Sequence, residues 1–403
     1  MRSRLVVALV AALLSLSVVG AAIGPNAHPP EVALITAGGY RAEPAYTQSG
    51  QAEADRLWVA EGRLPGAQTR WEEMARWALV DIRSFTAANG AVAAGPGGLW
   101  SYFWPRDGSF VAVVLARTGH PVESAAVLDR LARLEFDPTV GFQARYRLDG
   151  APLTDREPQS DGCGWVLWAI REARLASPSA VPPTAEELRD RCVRTLTRLV
   201  DGGHKLPPPS PDYWEQPVDR TSLGSVAPML AGLRAAAADY HATGQPARGL
   251  AVGLAADSLA QVVARSFGPG YERFGKQGGV DAAVAMLLPP FAPADEVAPG
   301  VRRALAHYQR AALEPAGGLS PGAGWGRHDG NSWTPETALV ALTAAASGRR
   351  GEATRWLDWL GAHRTAYGSL PEKVTRTGRP GGPAPLLWTA ALVLLTLDEL
   401  DQG

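Results

Sequence analysis

From Trp71 onward the sequence reads as a succession of helices whose connecting loops repeat. Apolar residues fall at helical spacing, with little strict alternation. This predicts helices over 70–89, 108–119, 122–135, 160–176, 185–202, 222–242, 246–267, 278–287, 297–312, 334–347, 351–364 and 385–401. Proline and glycine separate them, as at Gly119-His120-Pro121, Pro289-Pro290 and Gly378 to Pro385. Polar, aromatic and glycine-rich clusters precede every second helix. They centre on Asp107, Asp161, Glu215, the Tyr271–Gly279 stretch, Asp329 and Glu372. The steps are 54, 54 and 114 (two repeats) residues, then 43 to Glu372, whose helix begins near Pro385. Helix pairs at a period of about 55 residues are a repeat architecture. Six such pairs can close into a ring, with alternate helices inside and outside. The loops entering the inner helices then meet at one end. An open solenoid uses the same pairs, but its turns are usually bland. The expectation is an all-α closed toroid of twelve helices, one domain over 67–403.

Composition narrows the function. The 403 residues carry 39 basic and 40 acidic side chains, which argues against nucleic-acid binding by bulk electrostatics. Two cysteines, Cys163 and Cys192, cannot make a cysteine-based zinc site; one bridge or two buried thiols both fit. Thirteen tryptophans suit stacking surfaces for flat ligands such as sugars. At the N-terminus, Arg2 and Arg4 precede an apolar run from Leu5 to Val19 and the small residues Gly20, Ala21 and Ala22. This is the pattern of a secretory signal over 1–22, and an uncleaved membrane anchor is the alternative. No later segment reads as long and apolar enough to span a membrane. Residues 23–66 read as an extension or linker with a short helix near Ala52–Ala60. The mature chain is expected outside the cytoplasm, as a monomer.

The clusters carry the candidate chemistry. Trp100-Ser101-Tyr102-Phe103-Trp104-Pro105-Arg106-Asp107 places four aromatics before an Arg–Asp pair at a helix start. Asp107 could serve only as a helix cap. With Arg106 it could instead grip adjacent sugar hydroxyls, Asp accepting and Arg donating. In Gln159-Ser160-Asp161-Gly162, Asp161 is either a cap or a pocket residue. In Asp212-Tyr213-Trp214-Glu215-Gln216, Glu215 is a candidate general acid, since a carboxyl beside Trp214 and Tyr213 is partly desolvated and titrates high. Gly324 to Trp333 offers Arg327 as a substrate clamp; His328 lacks partners at metal-ligand spacing, and no metal or cofactor is expected. Leu370-Pro371-Glu372-Lys373 supplies a second carboxylate, Glu372, and Trp388 a stacking wall. Two carboxylates across a tryptophan-lined pocket meet the requirement for glycoside hydrolysis. The sequence holds no serine-nucleophile elbow, phosphate loop or dinucleotide fingerprint.

Taken in order, Trp104-Pro105-Arg106-Asp107, Gln159-Ser160-Asp161-Gly162, Trp214-Glu215, Gly279-Val280-Asp281-Ala282 to Leu287-Leu288-Pro289, Leu370-Pro371-Glu372 and Pro385-Leu386-Leu387-Trp388 resemble the glucoamylase-like glycoside hydrolase family 15. The resemblance spans about Trp71 to Leu400. It implies an (α/α)6 barrel and an inverting hydrolase that releases sugar from the non-reducing end of an α-glucan or oligosaccharide. It implies Glu215 as general acid and Glu372 as general base, separated by roughly 6.5–9.5 Å. It also implies Arg106, Asp107, Arg327, Trp104, Trp214 and Trp388 as sugar-contacting residues. The family often has a second glutamate where this chain has Gln216, a residue that can bond a hydroxyl without adding charge. The β-sandwich that precedes the barrel in many bacterial relatives is expected to be absent, since only about 70 residues precede it here. Dextran- or trehalose-cleaving activity and a non-catalytic sugar-binding barrel are the alternatives.

Overall fold

The computed structural model describes residues 50–402 except residue 328. The predicted signal, the extension as far as residue 49, and His328 lie outside the described residues. Twelve α-helices are present among them: α1 (Gly50–Glu61), α2 (Glu72–Ser84), α3 (Pro105–Arg117), α4 (Pro121–Ala132), α5 (Gly162–Ala176), α6 (Pro183–Leu199), α7 (Leu223–Ala242), α8 (Pro246–Phe267), α9 (Pro299–Ala311), α10 (Thr334–Ala346), α11 (Arg350–Ala362) and α12 (Leu387–Gln402). A 3₁₀ helix, Ala282–Leu287, takes the place of the helix expected over 278–287.

These elements close a ring. Around the inside, α3 touches α5, α5 touches α7, α7 touches the 3₁₀ helix, which touches α10, and α10 touches α12, which returns to α3. Outside, α4 packs on α3, α6 on α5, α8 on α7, α9 on the 3₁₀ helix, α11 on α10, and α2 on α12. The chain is therefore an all-α (α/α)6 barrel with five long inner helices and one short one.

Side-chain patterning explains which helix goes where. In α3 every residue from Pro105 to Ala116 is buried, as an element covered on all sides requires. In α9 only Gly300, Val301, Ala304, Leu305 and Tyr308 are buried, one stripe along an otherwise polar helix. Burying Val301 and Leu305 contributes roughly 1.5–3 kcal/mol each. The 3₁₀ helix is short because its ends are fixed by the sequence. Asp281 caps it through the Ala283 N–H at 3.0 Å, and Leu288 is extended ahead of Pro289. Two glycines let α5 and α7 approach closely: a Cβ on Gly164 would meet the Pro228 carbonyl oxygen at 2.2 Å, and one on Gly232 the Gly164 oxygen at 2.5 Å.

Cys163 of α5 and Cys192 of α6 form a disulfide, which decides between the two readings of these residues. Helix α1 packs against α2, and Trp58 stacks on His120 at 3.7 Å while its indole N–H donates to Glu123 at 2.8 Å. Contrary to expectation, α8 is long and apolar enough to cross a membrane by length and composition alone. Here it packs on α7 as an outer barrel helix.

Short strands decorate one end of the ring. β1 (Phe136–Asp137) pairs with β2 (Gly141–Phe142). β3 (Ser332–Trp333), β4 (Lys373–Val374) and β5 (Pro380–Gly381) form an antiparallel sheet in which Trp333 faces Lys373 and Lys373 faces Gly381.

Candidate active site

A cavity of about 240 Å³ opens at the end of the barrel where the inner helices begin. Its walls come from widely separated stretches: Trp100 to Asp107, Arg156, Tyr213 to Gln216, Pro321 to Arg327, Trp333 to Glu336, Glu372, and Leu386 to Trp388. Deeper along α3 and α5 the barrel axis is filled by packed aromatics. Phe110 lies 5.1 Å from Trp165, 4.8 Å from Trp168 and 6.0 Å from Trp388, and Phe291 joins the same group. The cavity therefore has a floor.

Glu215 sits on a turn that the rest of the molecule holds in place. Its backbone has φ of 54°, a left-handed conformation uncommon for a residue with a side chain. Asp212 holds this turn from within, its carbonyl accepting from Glu215 N–H at 2.7 Å and its carboxylate from Trp214 N–H at 2.9 Å. Arg273 fixes Asp212 in turn. It reaches Asp212 at 2.8 Å and Asp281 at 2.9 Å, and its guanidinium lies 3.7 Å from the centre of the Trp214 ring. All three charged groups are buried. The surroundings of Glu215 differ from the aromatic, desolvated setting expected from Tyr213 and Trp214. It is only partly buried, forms an ion pair with Arg156, and lies 4.0 Å from Arg106. A cation beside a carboxylate favours its ionised form.

Glu372 is held differently. Its backbone N–H donates to the Pro383 carbonyl at 2.8 Å, and Thr334 N–H donates to the Glu372 carbonyl at 3.0 Å. The Trp100 indole N–H donates to Oε1 at 3.1 Å, and Lys373 Nζ approaches Oε2 at 3.5 Å. Gly382, at φ of +73°, packs so closely that a Cβ there would meet Oε2 at 2.4 Å. Burial pushes the Glu372 carboxyl above its ordinary value, and the Lys373 charge opposes that shift. A carboxylate so placed is a better proton acceptor than a free one.

Arg106 and Asp107 occupy the first turn of α3, both buried, joined at 2.9 Å. The Arg106 guanidinium stacks 4.3 Å from the Trp388 ring centre. Arg106 Nη1 and Asp107 Oδ1 are buried without a hydrogen-bond partner, as are the indole nitrogens of Trp104, Trp214, Trp325, Trp333 and Trp388. Unpaired buried donors and acceptors are costly unless something meets them. Here they cluster on one cavity and suit a ligand rich in hydroxyls.

Nine of the ten residues expected at the site line this cavity: Glu215, Glu372, Trp104, Arg106, Asp107, Trp214, Gln216, Arg327 and Trp388. Asp161 does not. It is buried behind the wall and accepts from the Trp165 indole at 3.2 Å. Desolvation pushes its carboxyl up to about 7. Gln216 and Arg327 are exposed, at the rim, and also border a neighbouring recess with Arg273, Phe274 and Gly278. Nothing in the sequence marks Arg156, Glu336 or the bracing role of Arg273. Arg156 and Arg273 look like ordinary surface arginines in sequence. Glu336 follows a proline at a helix start, where an acidic residue usually serves the helix. No group of residues suited to hold a metal ion occurs among the described residues.

No known protein family profile and no curated protein matches this chain. Solved structures do. A glycosidase in complex with glucose is 23% identical, with a TM-score of 0.68 over 86% of this chain and 98% of its own. A bacterial glucoamylase complexed with acarbose is 17% identical, with a TM-score of 0.66 over 86% of this chain and 58% of its own. Glucoamylase from Saccharomycopsis fibuligera is 13% identical, with a TM-score of 0.64 over 91% of this chain and 98% of its own. At these identities the likeness is one of fold.

Proposed function

We propose that the chain is an exo-acting, inverting glycoside hydrolase for α-glucosidic bonds of oligosaccharides, working outside the cytoplasm. The observation that carries this reading is that Glu215 and Glu372, 157 residues apart in sequence, line one floored cavity together with Arg106, Asp107 and Trp388. Arg106 and Asp107 grip hydroxyls of the terminal sugar, whose apolar face rests on tryptophan. Glu215, protonated, gives its proton to the glycosidic oxygen as the C1–O bond breaks. Glu372, ionised, takes a proton from a water whose oxygen bonds to C1 from the opposite face. The anomeric centre inverts. A floored cavity admits a chain end, which is the physical basis for exo action. The Cys163–Cys192 disulfide agrees with an oxidising compartment. Glucose and acarbose in solved structures of the same fold are consistent with a sugar ligand.

The test is turnover of malto- and isomalto-oligosaccharides, dextran and trehalose by the full chain and by Glu215→Gln and Glu372→Gln. Each variant is expected to lose on the order of 10²–10⁴ in kcat with its unfolding temperature unchanged. Undiminished hydrolysis by either variant removes the assignment. A second reading, a sugar-binding barrel without turnover, is favoured by the ion pair of Glu215 with Arg156, which opposes the protonation an acid needs. Sugar binding by the native chain, with no hydrolysis of any substrate in the panel, selects that reading.

A further inference from the structure

The cavity contains a carboxyl for which the acid–base pair has no use. Glu336 stands in the first turn of α10, is 4% exposed and lines the cavity. The fold brings it to Glu372 by a specific route. Trp333 of β3 pairs with Lys373 of β4, and the next residue, Thr334, donates through its N–H to the Glu372 carbonyl at 3.0 Å. Glu336 follows two residues later. Its Oε2 is buried without a hydrogen-bond partner, although the neighbouring walls are polar. A buried carboxyl in a structural role would be expected to have its oxygens satisfied.

We propose that Glu336 is a substrate-contacting residue, donating a hydrogen bond from Oε2 to a hydroxyl of the sugar seated between Glu372 and Arg106. This rests on the hydrolase reading for the position of the sugar. A carboxyl donates only while it holds a proton, and the surroundings favour that. Burial pushes Glu336 up to about 8, and the Glu372 charge acts in the same direction. The groups around it are Glu372 just ahead of β4 and Lys373 in it, Arg106 and Asp107 on α3, Asp281 ahead of the 3₁₀ helix, and Tyr308 on α9. Arg106 is the cation that opposes the shift, and the Glu336 backbone N–H opposes it as well. The result separates two neighbouring carboxyls: Glu372 ionises first and serves as base, while Glu336 keeps its proton and serves as donor.

The experiment measures kcat/KM on an α-glucoside, and glucose binding by tryptophan fluorescence, from pH 5 to 10 for the native chain, Glu336→Gln and Glu336→Met. Gln keeps a donor of the same shape and should lose less than about tenfold; Met keeps the volume without a donor and should lose roughly 10–100-fold. Glucose affinity of the native chain should fall above about pH 8 as the donor is lost, and that fall should be absent in Glu336→Gln. Equal losses in Gln and Met, or a native profile that Glu336→Gln leaves unchanged, overturn the proposal. Should the Met variant not fold, the comparison of native and Gln profiles decides alone. Glucose binding without hydrolysis would sink the hydrolase reading while still testing Glu336; no glucose binding by the native chain would sink both.

Discussion

Replacing Arg273 by Met should cost both stability and turnover, and the cost should grow with pH. Arg273 is 2% exposed and bridges two carboxylates, Asp212 and Asp281, that are fully buried. Removing one partner of a buried ion pair costs about 3–5 kcal/mol, because the remaining charge has neither water nor counter-ion. At about 2 °C per kcal/mol for a domain of this size, the midpoint should fall by roughly 6–10 °C. Asp281 escapes part of the penalty by taking a proton, since burial already pushes its carboxyl up to about 6 and the Arg273 charge is what opposes that shift. Its folded-state affinity for protons exceeds that of the unfolded chain, so the folded variant is favoured at low pH and loses stability as pH rises. The deficit should be smallest near pH 4 and largest above pH 7. Asp212 also holds the turn that carries Glu215, so kcat should fall by about 10–100-fold, with a smaller change in KM. Calorimetric melts across pH and steady-state kinetics read both effects. A variant as stable and as active as the native chain, or a deficit that shrinks as pH rises, refutes the brace.

Three further outcomes are expected. Arg156→Gln removes the cation paired with Glu215, and the alkaline limb of the kcat/KM profile should move to higher pH; an unmoved limb contradicts the pairing. Asp161 holds its proton up to about 7 against 3.8 for the free group, so it withdraws stability as pH rises through that window. Asp161→Asn should flatten the fall in melting temperature between about pH 4 and 7, and an unchanged slope contradicts the burial argument. Trp388→Ala removes the ring on which Arg106 stacks and should raise KM severalfold while lowering the midpoint, consistent with the roughly 3–5 kcal/mol that a buried Trp→Ala change costs; unchanged KM would show that the wall plays no part.

The ring was legible because its signals are strong ones. Helical periodicity and the cluster spacing repeat along the chain, and the short inner helix is the one the periodicity marks least clearly. Its length is set by Asp281 and Pro289, turn chemistry that a periodic pattern does not register. The catalytic candidates were legible because each stands in a loop with aromatics and glycine. What sequence could not reveal depends on contacts across the ring. Arg273 meets Asp212 over 61 residues, and Arg156 meets Glu215 over 59, with no local pattern to announce either pair. Asp161 stayed open between cap and pocket for the same reason: a helix-start aspartate looks alike whether it faces the cavity or, as here, an indole behind the wall. The electrostatics of Glu215 follow from the arginines placed around it more than from its aromatic neighbours in sequence.

In the proposed reaction Glu215 and Glu372 act together on opposite faces of one glycosidic bond. Proton magnetic resonance of the first sugar released, recorded before mutarotation, tests it directly. An α-glucoside should yield β-glucose. Release of α-glucose would mean that a protein group, rather than water, attacks the anomeric carbon, and the assignment of Glu372 as a base would fail.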